Sequence, residues 1–336
     1  MRVAFVVPGP LDGSTGGYVY DEKLVEGLRD RHEVEVVVVP RSSSVLGKFR
    51  PCGSEYDIVL QDELCRGSLF AVNPLLDAPV VAVTHLLASK DPTCGRGAAL
   101  VERAYLRTVD ACVYTSAASR DASPVGVPSM VARPASRFSP GVTEEDVRER
   151  SDEEPLRAVF VGNVSRVKGL KTAVLALRKA EGWHLTVAGK VVDSEYARRI
   201  RRLAVTEGVS DRIEFVGFVE GGALSSLLRT SHAVVVPSVY EGFGTAYAEG
   251  MSFGLPAVGS AAGGASELIE DGENGWLVEP GDYERVTRIL CRLSEDREAL
   301  AEAGVAALKT ARERPSWEET SRKAVGFVER IVGRER

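Results

Sequence analysis

The chain has 336 residues, 44% hydrophobic and 27% charged, proportions of an ordinary globular protein that exclude wholesale disorder, collagen and coiled coil. At about 150 residues per domain that length suggests two domains, each long enough to bury its own core. The formal net charge is −6, and each half has a small excess of acids, which excludes a general nucleic-acid binder.

Short β-branched runs alternate with helical stretches along the whole chain. RVAFVVP (2–8) reads as a first buried strand rather than a signal peptide, because Pro8 and Gly9 break it. A helix is expected over 21–31. Strands are expected at 33–40, 56–61, 79–85 and 110–116, with a covering helix over 95–109. Continuous Val/Ile runs of this length indicate strands buried on both faces, hence a parallel sheet covered by helices. The pattern restarts with strands at 156–163, 183–189, 213–219, 233–239 and 256–260. Two doubly wound α/β units follow: an N-terminal domain over 1–150 and a C-terminal domain over 151–315. The acidic stretch 139–155, with Pro near both ends and no apolar stripe, reads as the linker. In the final segment, 316–336, Trp317, Ala324, Phe327, Val328 and Ile331 fall on one helical stripe that suits packing on either domain.

No apolar run approaches the roughly 20 residues that span a bilayer. A local basic patch is the one opening for peripheral membrane contact, which net charge does not support. Arg198, Arg199, Arg201 and Arg202 are read as a solvated helix face rather than a polyanion site. The five cysteines, Cys52, Cys65, Cys94, Cys112 and Cys291, are odd in number and never form C-x-x-C. That favours a reducing compartment, read as cytoplasmic, over a disulfide framework or zinc site.

Four turns carry the chemistry. In PSVYEGFGTAYAEG (237–250) a strand runs through a Gly-containing turn into a helix starting near Thr245. Unpaired N–H groups at a helix start suit a phosphate, and Gly242 and Gly244 let the backbone approach it closely. Glu241 and Glu249 stand in an E-x7-E spacing. Carboxylates accept paired hydrogen bonds from vicinal sugar hydroxyls, so the turn points to a sugar carrying phosphate. The alternative is a solvated turn Glu and an exposed helix Glu.

In VFVGNVSRVKGL (159–170), Arg166 and Lys168 sit at a second strand-to-helix turn. Two cations there oppose the helix dipole unless an anion lies between them. A diphosphate cradle or two plain surface cations both fit, and no Walker loop is present. The first loop, VPGPLDGSTGGYVY (7–20), brings Gly16 and Gly17 to the carboxyl edge of the sheet without a G-x-G-x-x-G. His85 ends a strand at that edge, where an imidazole can meet a sugar hydroxyl or handle a proton, or serve the structure alone. His32, His184 and His232 are read as structural.

Taken together, TGGYVYDEKLVEGLRDRHEVEVVVV, VFVGNVSRVKGL, LTVAGK, VVVPSVYEGFGTAYAEGMSFGLPAVGS and GGASELIEDGENGWLVEPGD resemble the family-4 retaining glycosyltransferases of the GT-B fold. The resemblance implies two Rossmann-like domains facing across a cleft, the last helix crossing back onto the first. It implies transfer from a nucleotide-diphosphate sugar to an acceptor of unknown class, without metal or other cofactor and with retention. Glu249 would grip the nucleotide ribose and Glu241 the donor sugar. Phe243, Gly244 and Thr245 would offer backbone N–H groups, Arg166 and Lys168 would hold the diphosphate, and Gly17 would approach it. His85 would contact the sugar near the reacting carbon. Many relatives carry Arg where this chain has Asn163, so Arg166 would supply that charge. Asp12, Tyr18 and Tyr20 are the candidate acceptor contacts. A GT-B epimerase or phosphorylase, or a non-catalytic nucleotide-sugar binding subunit, is the alternative.

Overall fold

The computed structural model describes residues 1–11, 15–39 and 55–334. They divide into two units, Met1–Pro134 with Pro315–Arg336, and Ala135–Arg314.

The first unit is built on one parallel sheet of β1 (Arg2–Val7), β2 (Glu33–Val38), β3 (Ile58–Asp62), β4 (Val80–Thr84), β5 (Ala111–Tyr114) and β6 (Ser129–Val131), ordered β2-β1-β3-β4-β5-β6. Val3 pairs with Val34 on one side and Ile58 on the other, so the central strands are flanked throughout. Covered by helices on both faces, β1, β3, β4 and β5 are almost wholly buried, which is why they read as unbroken apolar runs. The outer strand β2 differs: Glu33 and Glu35 alternate outward, as an edge strand requires. Helices α1 (Gly16–Arg29), α2 (Arg66–Leu69), α3 (Arg96–Leu106) and α4 (Ala117–Asp121) connect the strands. Helix α1 starts five residues earlier than expected. The Thr15 side chain accepts a hydrogen bond from the Tyr18 N–H and caps it.

The second unit begins with α5 (Glu144–Ser151). Its parallel sheet contains β7 (Leu156–Val161), β8 (Trp183–Ala188), β9 (Ile213–Gly217), β10 (Ala233–Val236), β11 (Ala257–Ser260) and β12 (Gly275–Val278), ordered β12-β11-β10-β7-β8-β9. This is the dinucleotide-fold order, and the strand direction of travel reverses between β7 and β10. Helices α6 (Leu170–Leu177), α7 (Ser194–Thr206), α8 (Gly221–Arg229), α9 (Thr245–Ser252), α10 (Tyr283–Glu295) and α11 (Arg297–Glu313) complete it. Trp183 is fully buried, and its indole N–H donates to the Leu290 carbonyl at 2.8 Å. The last helix, α12 (Trp317–Arg334), packs on α1 in the first unit. Its Ala324, Val325, Val328 and Ile331 are buried, and Ser321 Oγ donates to the Lys23 carbonyl at 2.7 Å.

The division falls at Pro134, before the acidic stretch 139–155. That stretch is a packed part of the second unit. Val147 of α5 is buried, and Arg150 is only 7% exposed, donating to the Phe253 and Gly254 carbonyls beyond the C-terminal end of α9. A short helix with a single buried valine leaves no apolar stripe to read. Among the described residues the four cysteines are free thiols, and no helix is long and apolar enough to cross a membrane.

Candidate functional site

The change in strand order between β7 and β10 brings two turns side by side, at the carboxyl edge where α/β sheets bind ligands. The Val239 N–H donates to the Val167 carbonyl at 2.7 Å and stitches the turns together. Gly169 caps α6 with φ 70°, and a Cβ built there would lie 1.8 Å from the Pro237 carbonyl oxygen. Only glycine accepts both conditions. Gly169→Ala is therefore expected to cost about 2–4 kcal/mol, or roughly 5–15 °C in Tm, measured by thermal melting.

Within this double turn, Lys168 Nζ donates to Glu241 Oε2 at 2.8 Å, and Ser238 Oγ donates to the same oxygen at 3.0 Å. Glu241 is 9% exposed. Its backbone is pinned as well, the Glu241 N–H to the Ala262 carbonyl and the Gly264 N–H to the Glu241 carbonyl. Gly244, with φ 102°, then caps α9 without a side-chain hydrogen bond. The first N–H groups of that helix have no intrahelical partner, by the geometry of any helix start. Phe243 is buried under the Arg314 guanidinium, 5.0 Å from its ring centre, so only its backbone can serve.

Glu249 lies on the buried side of α9 and is 2% exposed. Arg137 grips both its oxygens, Nε to Oε1 at 2.5 Å and Nη2 to Oε2 at 3.1 Å. Burial holds the Glu249 carboxyl above its ordinary value, and Arg137 offsets only part of that. Neither Arg137 nor Ser238 was expected. Arg137 stands 112 residues from its partner, and no local pattern marks it. Arg166, by contrast, is half-exposed and turned to Asp193, the capping residue of α7, at 3.6 Å. Asn163 is partly buried after β7. The structure thus joins Lys168 to Glu241 but gives Arg166 a different partner.

In the first unit a second group forms at the carboxyl edge. His85 Nε2 is 2.9 Å from Asp21 Oδ1. Asp21, Asp62 and His85 each bring one atom within 4.8 Å of the others. Glu63 accepts hydrogen bonds from the His85 and Leu86 N–H groups. Burial alone would lower the His85 pKa, but Asp21, Glu63 and Asp62 overcome it and raise it to about 10. Burial also raises the Asp62 and Glu63 carboxyls. Gly17, in the first turn of α1 after Gly16, lies against the ring: a Cβ there would come 3.4 Å from His85 Cδ2.

Among the acceptor candidates, Tyr18 is partly buried and Asp12 lies outside the described residues. Tyr20 is 1% exposed and sits edge-on to His85 and Trp317, with ring centres 5.3 and 5.7 Å apart. It is a core support of the histidine, not an acceptor contact. Helical periodicity on α1 buries it on the same face as Leu24 and Leu28.

These two parallel sheets, each with one change of strand order, define the two Rossmann-like units of a GT-B fold. Sucrose-phosphate synthase from Thermosynechococcus elongatus superposes with a TM-score of 0.84 over 99% of both chains at 19% identity. Anabaena HepE, solved in complex with UDP-glucose, gives 0.80 over 99% of this chain and 100% of that one, also at 19% identity. Residues 142–310 match the model of the glycosyl transferases group 1, and the chain belongs to that family. An uncharacterized glycosyltransferase of Methanocaldococcus jannaschii is 32% identical over 173 residues, 50% of this chain and 43% of that protein. In this and three further curated relatives the matched stretch spans 33 to 43% of their length.

Proposed function

We propose that the protein is a retaining glycosyltransferase of family 4, moving a sugar from a nucleotide-diphosphate sugar to an acceptor without a metal ion. The observation that carries this reading is the Lys168–Glu241 contact beside the start of α9, where no side chain takes up the first N–H groups. Cleaving the sugar–diphosphate bond leaves an oxocarbenium-like carbon and a strongly anionic leaving group. Lys168 and the α9 N–H groups are fixed charges that meet the leaving oxygens without solvent reorganisation. Glu241 would hold donor-sugar hydroxyls, Glu249 the ribose diol, and Gly244 and Thr245 would give their N–H groups to phosphate. Arg166 would leave Asp193 for an anion at little cost, since their contact is half-exposed and weak. His85, carrying a proton that balances Asp21, would face the sugar as a cation. The carboxylate–imidazole group is read as holding a proton rather than an ion.

Thermal shift with a panel of nucleotide sugars tests the reading. A donor at 100 times its Kd stabilises by about 2.7 kcal/mol, and Glu249→Ala is expected to abolish that shift. Transfer and donor hydrolysis should then fall in Glu241→Ala. A panel without any shift, with both variants as active as wild type, would sink the proposal. Epimer formation without acceptor, phosphate-dependent cleavage, or binding without turnover would each assign a different function to the same site.

A further inference from the structure

The chain carries a formal charge of −6, yet one face of the first unit is uniformly basic. From Leu86 to Val109 the exposed charged residues are Lys90, Arg96, Arg103 and Arg107, all cations. The two acids of that stretch are buried and engaged. Asp91 accepts from the Thr93 N–H at 2.8 Å, and Glu102 accepts from the Ala88 and Ser89 N–H groups.

Arg96, Leu100, Arg103 and Arg107 follow one another at helical spacing, so they share an arc of about 60° on α3. The opposite side, with Glu102, Tyr105 and Leu106, faces the core. Among the described residues no ion pair or hydrogen bond engages the three guanidinium groups. Leu100, at the centre of this stripe, is 70% exposed, more than any other large apolar side chain described. Beside α3, α2 and the turn Asn73–Leu75 add Phe70 and Leu75 as exposed apolar residues. Leu69 joins Tyr105 and Leu106 in one core cluster, and Asn73 Nδ2 donates to Thr108 Oγ1 at 3.0 Å.

We infer that this face docks on an anionic lipid surface, its guanidinium groups on headgroup phosphates and Leu100 between them. A membrane interface takes up cations and apolar side chains together. A free polyanion gains nothing from a leucine amid its contacts, and a second copy would be repelled by the same four cations.

Flotation of the full chain with vesicles tests this, using phosphatidylcholine alone and phosphatidylcholine with about one-third phosphatidylglycerol. Partitioning is expected to be about tenfold or more stronger on the mixed vesicles, and to weaken as salt is added. Each cation at such a surface contributes about fivefold. Arg96→Glu/Arg103→Glu/Arg107→Glu should therefore lower the partition coefficient by about a hundredfold or more. Leu100→Ser should lower it about tenfold and keep the salt dependence. These side chains are exposed, so both variants should melt within about 3 °C of wild type. The triple reversal Arg198→Glu/Arg199→Glu/Arg202→Glu on α7 changes net charge equally and should leave partitioning within about threefold. Equal binding to both vesicle types, an unchanged coefficient in the α3 variant, or an equal loss in the α7 variant overturns the inference. So does heparin retention that the α3 variant loses while wild type ignores vesicles, since the face would then serve a free polyanion.

Discussion

Replacing Lys168 with Ala is expected to lower kcat/KM for donor turnover by about a hundred- to a thousandfold, the usual loss when one fixed charge facing a developing anion is removed. Two effects add. On the proposed donor reading, the leaving diphosphate loses the Lys168 charge. Glu241, 9% exposed and accepting from both Lys168 and Ser238, is also left with one neutral donor. A fully buried pair broken this way costs about 3–5 kcal/mol of stability. The Lys168 side chain is 29% exposed, so solvent screening brings the expected cost to about 1–2 kcal/mol. Glu241→Gln in the Lys168→Ala background should restore that stability, because no uncompensated charge remains, while leaving turnover low. A double-mutant cycle read by thermal melting and by donor hydrolysis checks both halves. Additive stability losses would mean that the two side chains do not interact in solution.

How much of this was legible beforehand depended on whether the signal was local. The central strands showed themselves because burial on both faces demands unbroken apolar runs, as in Val3–Val7 and Ala233–Val236. Short strands such as β6 and β12, of three and four residues, left too little pattern. The Gly-rich turn, the E-x7-E spacing and the cations after β7 were visible because each lies within one strand–turn–helix unit. Contacts made by tertiary folding were not. Glu249 is held by a residue 112 positions away and His85 by one 64 positions away. Tyr20, counted in the first loop as a candidate acceptor contact, turns inward because α1 begins at Gly16 and puts that ring on its core face. The stretch 139–155 reads as a linker but packs as part of the second unit. Its acidic composition concealed Arg150, a buried cation that burial pulls down to about 10 and that holds the carbonyls after α9.

Asp21→Asn is expected to make activity pH-dependent where the wild type is flat. In the wild type, His85 stays protonated through neutral pH, because the carboxylates of Asp21 on α1 and of Asp62 and Glu63 at the end of β3 outweigh its burial and raise its pKa to about 10. Turnover should therefore be level from about pH 6 to 9 as far as this group is concerned. Removing the Asp21 charge deletes the largest raising influence and leaves burial, which favours the neutral ring. The variant should lose about a hundredfold or more in kcat at pH 8 and less at pH 6, the scale for losing one fixed charge that faces the reacting group. Stability moves with a definite sign. Between pH 6.5 and about 10 the folded chain keeps a proton that the unfolded chain has released. The contribution is complete below the unfolded value and disappears as pH climbs through the folded one, at up to about 1.4 kcal/mol per pH unit. Asp62 and Glu63, whose carboxyls are also raised, push in the same direction from lower pH. Melting of the wild type should thus fall more steeply above pH 7 than melting of Asp21→Asn. Parallel melting slopes, together with an unchanged pH–rate profile in the variant, would show that His85 does not carry its charge through Asp21.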